Sequence, residues 1–326
     1  MKMLHASVAA AVLALAVPVA QAAEKGGDAY PSKPIRMLVP FSAGSVTDIL
    51  ARMLGQKMTE NWRQQVVVDN RPSAGGIVAS QTLVNSTPDG YTLMTISSGH
   101  SSNASLYSKL PYDTVKDFAG VAKIASIPNV LVVSPTLGPK NVKDLIAFVK
   151  AKPGQLNFAS AGIGSATHMT GEQFKLEAGL ELKHVPYKGT PEALTDTMQG
   201  RVQYFFAPIV PALPFIKDNR LLALAVTTKD RSPVLPNVPT VAEAGIPGFE
   251  FDFWIGVVGP AKLPKALRDR ISQEYARILA LPDIKERMLN AGATPAFLGP
   301  EQFDALIKND VEKLGRIVRA AKIQIN

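Results

Sequence analysis

One stretch limits what this chain can become: Arg36-Met37-Leu38-Val39-Pro40-Phe41-Ser42-Ala43-Gly44-Ser45-Val46-Thr47-Asp48. Residues 35–39 make a short apolar run, the length of a buried strand. Pro40 withdraws a ladder donor and ends that strand, and the small residues up to Ser45 form a tight turn. From Val46 the apolar residues fall at helical spacing: Ile49, Leu50, Met53, Leu54 and Met58. Strand, small-residue loop and helix leave the first N–H groups of the helix beside a loop with few bulky side chains. Those donors and the positive end of the helix dipole point at one place, a geometry that binds anions. A single unit of this kind is equally an ordinary strand-to-helix turn, so its recurrence is what carries weight.

Residues 66–70 read as a continuous apolar strand of a parallel sheet covered on both faces. The small-residue loop Arg71-Pro72-Ser73-Ala74-Gly75-Gly76 follows, then a helix over 77–85. Pro88-Asp89-Gly90 turns the chain into a third strand over 91–96, and 97–103 reads as a third polar loop. Three strands thus deliver small polar loops to one edge, the carboxyl edge where open α/β sheets bind ligands.

A change of lobe is expected near residues 121–133, where Ile127-Pro128-Asn129 interrupts two apolar runs. A second series then begins with a helix capped by Asn141 and stopped at Pro153-Gly154. A strand over 156–159 leads into Ser160-Ala161-Gly162-Ile163-Gly164-Ser165 and a helix over 166–177. Strands are expected over 182–187, 202–207 and 221–226, a helix over 192–199, and a proline-rich connection through Pro208, Pro211 and Pro214. Residues 251–258 read as a strand returning to the first lobe. Helices over 264–280, 283–291 and 300–320 finish the chain, the first and last opened by prolines.

With 326 residues, 46% of them hydrophobic, the chain is long enough for two cores. The formal charge of +8 is spread over helix faces without an aromatic-interleaved basic patch, which argues against nucleic acid as a partner. The absence of cysteine removes disulfides and thiol chemistry. Lys2, the apolar run 9–19 and Ala20-Gln21-Ala22 have the layout of an export leader over 1–22, too short to span a membrane. The expected compartment is a bacterial periplasm.

The Gly162-Ile163-Gly164 loop lacks a dinucleotide fingerprint: Thr167 stands at its third glycine position, and the next strand ends in Tyr187-Lys188 rather than an acid. No P-loop is present, and no cofactor is expected. Ser165 and His168 sit three apart at a helix start and Ser97 and His100 share a loop, but no G-x-S-x-G elbow accompanies them. A secreted serine hydrolase using Ser165 and His168 therefore stands as an alternative, with no catalytic residue assigned. His168 and Glu172 share a helix face, an isolated pair short of a metal site. His184, inside an apolar strand, reads as a core histidine.

Several motifs together resemble one family. They are Tyr30-Pro31-x-Lys33-Pro34-Ile35-Arg36, Val39-Pro40-Phe41-x-Ala43-Gly44, Asp69-Asn70-Arg71-Pro72, Ala74-Gly75-Gly76, Pro88-Asp89-Gly90-Tyr91-Thr92-Leu93, Gly164-Ser165-x-x-His168, Val185-Pro186-Tyr187-Lys188-Gly189 and the run from Pro236 to Gly245. In this order they are similar to the Bug (Bordetella uptake gene) family, the extracytoplasmic solute receptors of tripartite tricarboxylate transporters. The resemblance implies an α/β, two-lobed periplasmic binding protein of type II, with two strands linking the lobes. Lobe 1 is expected over 23–124 and 247–326, and lobe 2 over 125–246. It implies a monomer that holds a carboxylate in the cleft, through backbone N–H groups, hydroxyls and water, and delivers it to integral membrane subunits. A sensor feeding a signalling system would use the same binding physics.

Carried onto this chain, the ligand-binding candidates in the first lobe are Phe41, Ser42, Ala43, Gly44, Thr47, Gly75, Gly76, Ser97 and His100. In the second lobe they are Ser160, Gly164, Ser165, His168, Tyr187 and Ala207. Asp48 and Arg71 are as readily explained by structural charge pairing. Where relatives have Ala-Gly-Gly-Pro-Thr-Asp, this chain has Ala43-Gly44-Ser45-Val46-Thr47-Asp48, which keeps the backbone donors and alters the cleft wall. Tyr187-Lys188 and Phe205-Phe206-Ala207-Pro208 contain no acid to receive an ammonium group. A carboxylate with an apolar or aromatic part is therefore expected, unless Phe205 and Phe206 simply alternate between core faces.

Overall fold

The structure, a computed structural model, describes residues 30–323. The leader read at 1–22 lies outside the described residues. The first series runs β1 (Ile35–Val39), α1 (Val46–Trp62), β2 (Val66–Asn70), α2 (Ile77–Val84), β3 (Thr92–Ser97), α3 (Gly99–Leu106) and β4 (Phe118–Ile127). The second runs β5 (Asn129–Val133), α4 (Val142–Lys150), β6 (Leu156–Ser160), α5 (Ala166–Glu177), β7 (Leu182–Pro186), α6 (Thr190–Met198), β8 (Tyr204–Pro208), α7 (Ile209–Lys217) and β9 (Leu222–Val226). The chain then returns through β10 (Phe253–Pro260), α8 (Lys265–Ala280), α9 (Pro282–Asn290), β11 (Thr294–Leu298) and α10 (Pro300–Ala320).

Two sheets result, with strand orders β11-β4-β10-β3-β1-β2 and β7-β6-β8-β5-β9. Each contains a parallel trio whose earliest strand lies in the middle: β1 between β2 and β3, and β6 between β7 and β8. An antiparallel strand follows in each, β10 beside β3 and β5 beside β8. The loops that leave β1 and β6 therefore occupy matching central positions at the carboxyl edges of their sheets.

Alternation explains why these strands are apolar throughout. Met37 faces a core shared with α1 and α8, while its neighbour Leu38 faces a second core containing Met94, Trp254 and Phe303. In β8 the same alternation sends Phe206 into one core of the second lobe and Phe205 into the other, both 0% exposed. The aromatic cleft wall considered for that strand end is thus absent, because both faces of the sheet are covered.

The chain passes between sheets at Pro128 and returns through Asp252, Phe251 still packing in the second lobe and Phe253 starting β10. Lys123 Nζ and Asp252 Oδ2 meet at 2.5 Å beside the return crossing. α10 joins the lobes again: Phe303 and Ile307 pack in the first, Leu314, Ile317 and Val318 in the second.

Three segments depart from the sequence reading. The loop expected over 97–103 is mostly α3, whose Ser101, Ser102 and Asn103 are buried; packing holds a helix that side-chain propensity disfavours. The proline-rich connection is α7, in which Pro211 occupies the first turn, where the N–H has no intrahelical acceptor. β11 escaped notice because Pro295 and an irregular register on β4 erase its alternation.

Candidate ligand cleft

The loops after β1 and β6 are built alike. Gly44-Ser45-Val46-Thr47-Asp48 and Gly164-Ser165-Ala166-Thr167-His168 share one pattern, glycine, serine, small apolar residue, threonine and a closing acceptor. Gly44 and Gly164 have φ of 82° and 78°, a left-handed turn that glycine adopts without strain. Ser45 Oγ accepts from Asp48 N, and Ser165 Oγ from His168 N, each at 3.2 Å, capping α1 and α5. The last residue then reaches back to the glycine: Gly44 N donates to Asp48 Oδ2 at 2.9 Å, and Gly164 N to His168 Nδ1 at 3.1 Å. Beyond each cap, the first two helical N–H groups (Val46 and Thr47, Ala166 and Thr167) have no intrahelical acceptor and carry the positive dipole end. Each loop tip also shows one apolar side chain to solvent, Phe41 at 39% and Ile163 at 44% exposure.

The two edges face each other. The Ser102 hydroxyl of α3 shares its one proton between Gly99 O at 2.7 Å in its own helix and Gly164 O at 3.0 Å across the lobes. A side chain at Gly99 would come within 3.2 Å of the Gly164 carbonyl, which is why that approach uses glycine. The loop after β2 is anchored from the same helix, Asn103 Nδ2 donating to Gly75 O at 2.7 Å. Gly76 lies against Pro40, where a Cβ would stand 2.7 Å from the ring.

The other sequence candidates divide. Ser42, Ala43, Gly44 and Gly75 are exposed at the edge; Thr47 and Ser97 are buried just behind it. Ser160 is buried, its Oγ 2.6 Å from His184 Nε2 and 3.1 Å from both Gly162 N and Gly162 O. Tyr187 donates its hydroxyl to Asp196 at 2.7 Å, and Ala207 is buried in the second-lobe core. His100 lies among aromatic side chains, edge-on to Phe118 at 4.7 Å and stacked on Tyr112 at 6.1 Å, not at the edge. Burial brings its imidazole down to about 4, against a weaker opposing bond to the Thr114 backbone.

The charges near the loops are already engaged. Burial works to raise the Asp48 carboxyl, but hydrogen bonds from Arg52, Gly44 and Asn70 overcome it and hold the group below its ordinary 3.8. Arg71 Nε and Arg36 Nη2 both meet Asp69 Oδ2. His184 is brought down to about 3, by burial first and then by His168 and Lys175. His168 and Glu172 are buried together 3.7 Å apart, with Lys175 on the carboxylate at 2.6 Å. Among the described residues no group of three or more metal-ligating side chains occurs.

The residues missed in the sequence are Ile163, Ser102 and Asn103. The repeated glycine–serine–x–threonine pattern would have paired the two loops. A surface depression of about 830 Å³ lies instead at the far end of α5, lined by Lys143, Lys150, Glu177 and Gly245 to Gly248. The twelve-residue α5, about 18 Å long, separates it from the loops, so it belongs to another surface.

Two matched helix-start loops at facing sheet edges are what a solute receptor presents. Residues 50–323 match the family described as the tripartite tricarboxylate transporter family receptor. The chain belongs to that family. It is 34% identical over 300 residues to Protein BugT of Bordetella pertussis, covering 91% of this chain and 92% of BugT. A solved R. palustris structure with adipate is 31% identical with TM-score 0.83, covering 91% of this chain and all of that one. MatC of Rhodopseudomonas palustris with bound malate is 29% identical with TM-score 0.78, covering 89% and all of that chain. The family is one of transporter receptors, and the two-lobed α/β fold is common to these solved structures and this chain.

Proposed function

We propose that this receptor captures a carboxylate between the loops after β1 and β6 and hands it to integral membrane subunits of its transporter. The observation that carries this reading is the pair of capped helix starts, one per lobe, each leaving its first helical N–H groups without an intrahelical acceptor. Adipate and malate in the two solved relatives support a carboxylate as the ligand class. Phe41 and Ile163 at the loop tips suit an apolar middle section between carboxylate ends. Asp48 is consumed by Arg52, Asn70 and Gly44, and Asp196 by Tyr187 and Arg201, so neither is free to receive an ammonium group. A ligand without an α-ammonium group follows, since burying an unpaired ammonium costs several kcal/mol.

In this reading the protein is exported, loses residues 1–22 and works as a monomer in the periplasm, its lobes bending about Pro128 and Asp252. Among the described residues no helix is long and apolar enough to cross a membrane. Binding without turnover is the proposed mode. Ser165 Oγ donates to Gly162 O at 2.7 Å, while the His168 ring nitrogen nearest the loop is occupied by Gly164 N–H. No imidazole therefore activates the serine.

Native mass spectrometry of freshly purified protein, followed by calorimetry with adipate, malate, citrate, phthalate, glutamate and aspartate, tests the ligand class. Adipate or another carboxylate lacking the ammonium group should bind best. Tight binding of glutamate or aspartate with the others silent overturns the reading.

A further inference from the structure

Beneath the second-lobe loop lies a pair of stacked imidazoles with no counterpart under the first. The rings of His168 and His184 are 3.7 Å apart at 15°, and Phe158 stacks on both. Each ring grips a different part of the loop. His168 Nδ1 accepts from Gly164 N, and His184 Nε2 contacts Ser160 Oγ, which in turn bonds Gly162. The loop is thereby held at both ends from below, with the Gly164 carbonyl held from α3 by Ser102.

We propose that His168 is the positioning residue of the second-lobe carboxylate loop, holding it through an unprotonated Nδ1. This rests on the carboxylate reading above. The bond from Gly164 requires a lone pair on Nδ1, which assigns the ring proton to Nε2, the side facing Glu172 Oε1 at 3.7 Å. The groups that face the ring are Glu172 from α5, His184 from β7 and Phe158 from β6, with Lys175 paired to the Glu172 carboxylate. From α3 the loop meets the neutral Ser102 and Leu106. The first lobe uses Asp48 in the same place, a carboxylate bonded by Arg52 and Asn70.

The test combines adipate affinity at about pH 8 with ¹⁵N-histidine NMR of the full chain. His168→Asn, whose amide oxygen can accept the same bond, should retain most of the wild-type affinity. His168→Leu should bind adipate about tenfold more weakly, the effect of leaving one buried N–H without its acceptor. Wild-type affinity in His168→Leu, or a loss in His168→Asn as large as in His168→Leu, overturns the proposal. NMR needs no variant and no ligand: Nδ1 in the unprotonated acceptor state at about pH 8 upholds it, and a proton on Nδ1 overturns it. Failure of adipate to bind wild type counts against the carboxylate reading alone and leaves the NMR to decide the role of His168.

Discussion

The loops after β1 and β6 share a local code and differ in what surrounds them. At Gly44 a Cβ would meet nothing within 4 Å, whereas at Gly164 it would stand 2.6 Å from Leu106 of the opposite lobe's α3. The first loop is closed by a charged carboxylate in an ion pair, the second by a buried imidazole in a stack. The same five-residue pattern thus makes one loop that is open to solvent and one that is wedged into the contact between lobes. A helix start supplies the donors in both, and the neighbours decide how rigidly they are held.

The largest effect that would sharpen this contrast is acid sensitivity. Each lobe hides one imidazole with a depressed value, His100 at about 4 and His184 at about 3, against an ordinary 6.5. The native state disfavours their protons, so stability is full above 6.5 and falls as pH drops toward those values. Unfolding at about pH 5 should take up about two protons from this pair and the protein should lose about 3 kcal/mol relative to neutral pH. Denaturant titrations across pH read this, and His100→Gln should remove the first lobe's share.

Next in size is the glycine comparison. Gly164→Ala should cost about 3 kcal/mol in stability, from overlap with Leu106 on top of a left-handed backbone. Gly44→Ala should cost about 1 kcal/mol, from backbone conformation alone. Equal losses in urea unfolding would erase the distinction between the loops. Asp48→Ala should cost about 2 kcal/mol by stranding Gly44 N–H, Asn70 and Arg52. Its stabilising effect should fade as pH falls below 3.8, since the folded carboxyl is held lower still. Smallest is Ser102→Ala, which removes one interlobe hydroxyl bond and should cost about 1 kcal/mol. Small-angle scattering of that variant with and without adipate shows whether the contact also biases lobe closure; an unchanged radius in both forms would confine it to local packing.

Much of the fold was legible wherever one segment carried its own periodicity or cap. β1, β2 and α5 are read within a residue from apolar runs and from Ser165 at the helix start. α3 was not, because serine, histidine and asparagine favour turns until packing against α10 outweighs them. The sequence also located both central loops and supplied the family's motifs across the chain.

What those residues do was decided elsewhere. Asp48 and His168 look alike as polar residues one turn into a helix, and the sequence by itself determined only that each follows a glycine loop at a helix start. Only the tertiary structure brought Arg52 and Asn70 to the first and stacked His184 from another strand on the second. It also sent Phe205 and Phe206 to opposite cores, removing them from the cleft. Local geometry depends on neighbours within a few residues, whereas burial, ion pairing and stacking join atoms from distant segments, and those contacts exist only once the two sheets have formed.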